Sequence, residues 1–376
     1  MVQKNHPDYI LLTTISILII WAIFNLASVS FPFSLEKYGN SWYYFLHQLL
    51  MGFLPGLIIG FVFYKLKIKN LKKISIYLLA LNILLLLMVF LPKIGIEING
   101  SQRWLQFGKI RFQPSEFLKI TFLLYLSTWF GNKLNDEKRT FKKKKTDWQS
   151  LLIFTTILFI LIIILLFQKS LSTLVVVAFI GGIVYFASFS SWKHFISFSL
   201  PSIGLLLLAI QFTPYRLDRV LTFLKPQLDP LGKGYQIGQS LIAIGSGKWL
   251  GIENGIALGL SRQKFGFLPE VMTDSIFAVI AEEVGFIGCL FLITLIFLFA
   301  WRGMKIALRS GDACLNLLSL GITFWIVFQT FFNIGGIIGI LPLAGMPLPL
   351  FSYGSSHLIA EMAGLGLLLN ISKQTG

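Results

Sequence analysis

Apolar residues run along this chain in long blocks rather than in the two- or three-to-four-residue alternation of half-buried strands and amphipathic helices. About 20 mostly apolar residues span the roughly 30 Å of bilayer hydrocarbon as a helix. Ten blocks meet that requirement, at about 9–30, 43–64, 74–92, 114–130, 150–167, 171–189, 195–213, 273–300, 313–333 and 354–371. The pattern predicts an all-α polytopic membrane protein, folded as a single integral membrane domain over 1–376. The first block follows a single lysine, Lys4, and ends near Ala27-Ser28-Val29-Ser30, a signal-peptide-like combination. Its length, and the blocks that follow, make it a first spanning helix. Gln168-Lys169-Ser170 reads as a tight turn between the fifth and sixth spans.

Composition agrees: of 376 residues, 55% are hydrophobic and 13% charged, and mean hydropathy is +0.77. The net charge of +16 would suggest a nucleic-acid binder in a soluble chain. In a membrane chain it is a topology signal. With the N-terminus inside, 18 Lys and Arg fall on the cytoplasmic side. Only 6 fall in short outer loops, with 7 more in a long outer loop at 214–272. Both termini are therefore expected in the cytoplasm. Lys142-Lys143-Lys144-Lys145 reads as a stop-transfer and lipid-headgroup feature. Cys289 and Cys314 lie in apolar runs, and the four histidines lack metal-ligand spacing.

Polar residues collect on the predicted outer face, in 93–113, 214–272 and 334–356. Within the long loop, Tyr235–Ile244 has the apolar spacing of a short helix lying on the membrane surface. If the eighth helix begins near Pro269, Glu270 and Asp274 lie one turn apart on one face, an arrangement suited to acid–base work, to cation binding or simply to helix capping. Glu282 and Glu283 would lie about 12–14 Å deeper at about 1.5 Å per residue, where they must be protonated, paired or wet. Lys119 is a possible partner for one of them, within a structural intramembrane network. Glu361 is similarly costly and has no role legible in the sequence. Pro114 suits a first helical position, with Glu116 complementing the dipole in the first turn. Arg103 beside Trp104 either anchors at the interface or meets an anionic group.

Four segments together resemble the SEDS proteins (shape, elongation, division and sporulation), the family of FtsW, RodA and SpoVE. They are Gln102-Arg103-Trp104 with Gln113-Pro114-Ser115-Glu116-Phe117-Leu118-Lys119; Asp229–Gln236 running on through Gln239–Gly247; Leu268-Pro269-Glu270 with Thr273-Asp274 and Glu282-Glu283; and Pro347-Leu348-Pro349 with Ser352-Tyr353-Gly354. The resemblance implies a peptidoglycan glycosyltransferase in a bacterial cytoplasmic membrane. Such an enzyme polymerises lipid II by passing the glycan from a polyprenyl pyrophosphate to the 4-hydroxyl of the incoming sugar. Asp274 would be the general base or the ligand of a divalent cation, Mg or Mn, with Glu270 tuning it and no organic cofactor. Arg103, Glu116, Lys119, Gln236, Gln239, Ser352 and Tyr353 would make up the substrate site. A class B penicillin-binding transpeptidase is the implied partner; nucleic acid is not.

The chain departs from the family pattern at Gln102, at Lys169-Ser170, at Met272 and Ser275 around the Thr-Asp pair, and at the single Gly354. Leu260–Phe265 is more similar to the division branch, FtsW, and Leu343–Leu350 is shared with elongation members. A lipid II flippase and a non-catalytic scaffold are the competing readings.

Overall fold

The computed structural model describes residues 6–98, 100–108, 110–139, 148–189, 204, 221–225, 232–252, 259 and 261–374. Ten helices organise it: α1 (Tyr9–Tyr38), α2 (Tyr43–Lys65), α3 (Ile68–Met88), α4 (Pro114–Arg139), α5 (Trp148–Phe167), α6 (Leu171–Phe189), α7 (Lys233–Ser246), α8 (Ile276–Arg309), α9 (Ala313–Ile337) and α10 (Ser355–Ser372). Between α3 and α4 lies a three-stranded antiparallel sheet, β1 (Gly95–Ile98), β2 (Ser101–Phe107) and β3 (Ile110–Phe112), in the order β1-β2-β3.

Nine of the ten expected spans are helices. The seventh, 195–213, lies outside the described residues apart from 204, as do 214–220, 226–231, 253–258 and 260 of the long loop. Seven helices, α1, α2, α3, α5, α6, α8 and α9, are long and apolar enough to cross a membrane. The other two, α4 and α10, carry Glu116, Lys119 and Glu361 and are enclosed by their neighbours. Enclosure matters because a charged group facing lipid is expensive, whereas one facing other helices can be paired. The stretch 93–113, expected only to be non-helical, is the sheet, with Gly95 opposite Leu105 and Leu105 opposite Phe112.

Local chemistry sets the helix ends. The Asp8 side chain accepts from Leu11 N at 2.9 Å, and Gly39 closes α1 in the left-handed region at φ 65°. Pro114 opens α4, where a missing N–H costs nothing. The Gln168–Ser170 turn is present, with Ser170 N donating to Leu165 O at 2.9 Å. The helix α10 packs directly on α2: a Cβ on Gly366 would lie 2.1 Å from Gly60 O, so the two backbones touch.

One end of the bundle is tied by charge. Asp8 pairs with Arg302, and its N–H donates to Ser372 Oγ at 3.0 Å, so the two ends of the described chain meet there. Lys72 pairs with Asp312, which also accepts from Asn135 Nδ2 at 3.1 Å. Burial acts to raise the Asp312 pKa, but hydrogen bonds from Lys72, Asn135 and Cys314 N outweigh it and hold the carboxyl below the usual carboxylate range. These are groups that charge counting placed on a common side. The opposite end carries the sheet and the candidate site.

Candidate functional site

The eighth spanning helix starts later than its sequence suggests. Residues 269–275 form successive turns, and α8 begins at Ile276. Glu270 is left-handed, at φ 51°, and accepts backbone bonds from Thr273 N and Ser275 N, both at 3.1 Å. Its exposed carboxylate accepts from Thr273 Oγ1 at 2.7 Å. Glu270 and Asp274 therefore do not share a helix face as expected: the tight turn at Glu270 uses up the residues that a helix would have needed.

Asp274 is half-buried, and its backbone is held from three directions. Asn333 Nδ2, on α9, donates to Asp274 O at 2.8 Å and to Met346 O at 2.7 Å. Ser352 Oγ donates to Thr273 O at 2.5 Å while accepting from Leu348 N at 2.7 Å. Tyr353 N donates to Met272 O at 2.7 Å. The Pro-rich 346–353 loop and Asn333 of α9 thus together clamp three consecutive carbonyls, Met272 to Asp274. From the other side, buried Gln236 on α7 donates to Ser275 Oγ at 2.9 Å. Gln239 sits three residues further on, half-buried and outside this bonded set. Burial raises the pKa of the Tyr353 phenol, whose oxygen meets His47 Nδ1 at 2.8 Å.

Behind the clamp lies a buried ionic network. Lys119, 2% exposed, donates to Glu116 Oε2 at 2.8 Å and to Gln329 Oε1 at 3.1 Å, and sits 5.5 Å from the Trp325 ring. Gln329 Nε2 reaches Pro347 O at 3.0 Å and Glu361 Oε1 at 3.4 Å. Glu361 Oε2 accepts from Leu350 N at 2.8 Å, and His357 Nε2 meets Ser352 O at 3.1 Å. Helices α4, α9 and α10 are joined through this network to the loop that holds Asp274. Glu361, which had no legible role, orients that loop. The sequence reading passed over Gln329 and Asn333, although two amides four residues apart in an apolar span were a visible signal.

The expected link from Lys119 to Glu282 or Glu283 is replaced by another partner. Lys119 and Glu116 are one turn apart on α4 and satisfy each other. Buried Lys264 takes the other role, lying 3.3 Å from Glu283 Oε1 and donating to Ser28 Oγ at 3.0 Å and Gly259 O at 2.6 Å. Glu282 accepts from Ser261 Oγ and from Arg262 N at 3.2 Å. Both carboxylates therefore act as structural anchors, binding the 259–264 loop to the first turns of α8. Two residues beyond, α8 breaks at Gly285, φ 64° and ψ −167°. Carbonyls of Lys248 and Trp249 take the N–H groups of Phe286 and Ile287 at 2.9 and 3.1 Å. A Cβ at Gly285 would lie 2.4 Å from Gly251 N.

Arg103, half-buried on β2, donates to Ser101 Oγ at 3.0 Å and to Lys169 O at 2.9 Å, fastening the sheet to the α5–α6 turn. Among the described residues no three His, Cys, Asp or Glu converge into a group that could hold a metal ion.

A family model described as a cell cycle protein, covering FtsW, RodA and SpoVE, matches residues 8–376. The chain belongs to this family. A probable peptidoglycan glycosyltransferase FtsW from Nitrosomonas europaea is 36% identical over 97% of this chain and 92% of its own. Stage V sporulation protein E from Bacillus subtilis is 32% identical over 99% and 98%. Among solved structures, one reported as showing structural coordination of polymerization and crosslinking by a peptidoglycan synthase complex aligns with a TM-score of 0.77 at 28% identity over 98% of both chains. Thermus thermophilus rod shape determining protein RodA aligns at 0.69 and 25% identity, over 98% of this chain and 97% of its own. The chain is a multi-pass membrane protein of this family, with its polar motifs gathered at one end of the bundle.

Proposed function

We infer that this chain is a peptidoglycan glycosyltransferase that polymerises lipid II at the outer face of a bacterial cytoplasmic membrane, with both termini inside. The observation that carries the reading is the clamp on Met272–Asp274. Three donors from α9 and the 346–353 loop fix the backbone of a single acidic residue at the polar end of the bundle. A group held this way is preorganised for a task that tolerates little displacement.

In the reaction, the 4-hydroxyl oxygen of the incoming lipid II sugar attacks C1 of the glycan's terminal sugar. The C1–O bond to the polyprenyl pyrophosphate breaks, the new glycosidic bond forms, and the pyrophosphate leaves with the bonding electrons. The Asp274 carboxylate accepts the hydroxyl proton. Asp274 together with the pyrophosphate oxygens would hold any divalent cation, whose charge would ease the leaving group's departure. Glu270, through its Thr273 bond, sets the turn in which Asp274 sits. Glu116 and Lys119 support the clamp from behind, and Gln236 supports it from α7. Arg103, with Gln239, Ser352 and Tyr353, borders the substrate. A class B penicillin-binding transpeptidase is the proposed partner that crosslinks the strands, in keeping with the complex described for the structural relative.

The test is synthesis of glycan strands from lipid II by the purified protein with its transpeptidase and a divalent cation. Asp274→Ala is expected to lower the rate by at least about 10²-fold, the scale of lost general-base catalysis. Normal polymerisation by that variant would overturn the assignment. Lipid II scrambling that survived it but vanished in Glu282→Gln or Glu283→Gln would favour transport.

A further inference from the structure

The α1–α2 hairpin carries a density of rings that, His47 apart, the site described above does not use. Six of the ten residues 38–47 are aromatic or histidine. Tyr38 and Tyr43 stack with centroids 3.8 Å apart and planes 23° apart. Tyr44 stands edge-on to Tyr38 at 5.5 Å and to Tyr353, also at 5.5 Å. Tyr43, Tyr38 and Trp42 are 40%, 45% and 51% exposed, so the ring group is open on its outer side. Lys37 lies 5.7 Å from the Tyr38 ring centre.

We propose that this hairpin is a glycan-binding surface, on which the growing strand lies beyond the Asp274 site. The proposal rests on the glycosyltransferase reading and names where its polymer is held. Three observations favour a sugar strand over simple lipid anchoring. First, the hairpin is wired to the site: Tyr353 bonds His47 through its hydroxyl and Met272 O through its N–H, two residues before Asp274. Second, α1 runs 30 residues, about 45 Å at 1.5 Å per residue, against roughly 30 Å of hydrocarbon. Its last turns already carry Ser34, Glu36 and Lys37, so the rings stand at or above headgroup level. Third, belt residues are distributed around a protein's circumference, whereas these rings converge in one hairpin. A pyranose offers an apolar C–H face to stack on an aromatic ring and a rim of hydroxyls for tyrosine oxygens. Lys37 is placed to meet a carboxylate substituent.

The test separates binding from chemistry. Lipid-free peptidoglycan fragments of about four to eight sugars are titrated calorimetrically onto Asp274→Ala protein and onto the same protein with Tyr38→Ala and Trp42→Ala added. A loss of affinity of at least about tenfold supports the surface. Tyr38→Phe with Tyr43→Phe keeps the stack and is expected to keep most of the binding, which guards against misfolding as the cause. In the otherwise native chain, Trp42→Ala with Tyr38→Ala is expected to shorten strands at least about twofold per lipid II consumed. Equal affinity and equal strand length would overturn the proposal and leave the rings as a lipid belt. If the native chain made no strands while the fragment affinities still differed, the activity reading alone would fail.

Discussion

Two buried clusters, each with one lysine and neighbouring carboxylates, solve the same electrostatic problem differently. The Glu116–Lys119–Gln329–Glu361 cluster bonds side chain to side chain across α4, α9 and α10, and ends on the loop that clamps Asp274. The Glu282–Glu283–Lys264 cluster bonds largely to the backbone of one loop, through Arg262 N, Gly259 N and Gly259 O. The first couples helix packing to the site. The second fastens a loop to the start of a helix. A buried ion pair is weak evidence for stability by itself, so the clusters are best understood by what each positions.

The largest effect expected follows from breaking the first cluster. Lys119→Met strands Glu116 in a dry interior and should cost about 3–5 kcal/mol, read as a lower melting temperature in detergent. Adding Glu116→Gln should restore most of that stability but not the rate of glycan synthesis. Lys264→Met with Glu283→Gln should restore both. Equal recovery of activity in the two double variants would erase the distinction drawn here.

Next comes the helix break beside the second cluster. Gly285→Ala places a side chain in a left-handed conformation and against Gly251 N, with about 1–3 kcal/mol expected for the backbone strain alone. Hydrogen exchange should then rise in 247–251 and at the start of α8, while the 346–353 loop stays protected.

A smaller loss is expected on the clamp itself. Asn333→Ala leaves Asp274 O and Met346 O without this donor, at about 1–3 kcal/mol. Strand synthesis should fall with the lipid II KM little changed, since the change displaces a reacting group more than a binding one. An unaltered kcat would show that the clamp does not position Asp274.

The smallest effect belongs to the far end of the bundle and serves as a control. The Asp312 carboxyl is held below its unfolded pKa, so its contribution is present above the unfolded value near 3.9. It is lost as pH falls through the lower folded value. Melting curves taken between pH 5 and pH 2.5 should show native protein losing more stability than Asp312→Asn over that window, with no difference in slope near neutrality.

Much of the fold was legible in the sequence because an apolar run of membrane length is a one-dimensional signal. The Gln168–Ser170 turn, Pro114 as the start of α4 and a helix within 235–244 all followed from local rules. The start of α8 did not: Pro269 invites a helix, but the Glu270 turn and its contacts with Tyr353 and Ser352 come from residues some 80 positions away. Lysine partners were equally hidden. Lys119 had Glu116 one turn away on its own helix, yet the sequence left Glu282 and Glu283 open to it as well, and only packing gave Glu283 to Lys264.

The amino-acid sequence by itself determined the helical membrane architecture, the grouping of loops on two sides, the family and the acidic residue at the centre of the proposed chemistry. These are encoded in runs, local spacings and charge counts. The tertiary structure decided which carboxylate each buried lysine neutralises, where α8 begins and breaks, and how Asn333, Ser352 and Tyr353 hold the Asp274 segment. Those outcomes depend on long-range contacts among buried polar groups, each of which must find a partner in a low-dielectric interior, and no local pattern names that partner in advance.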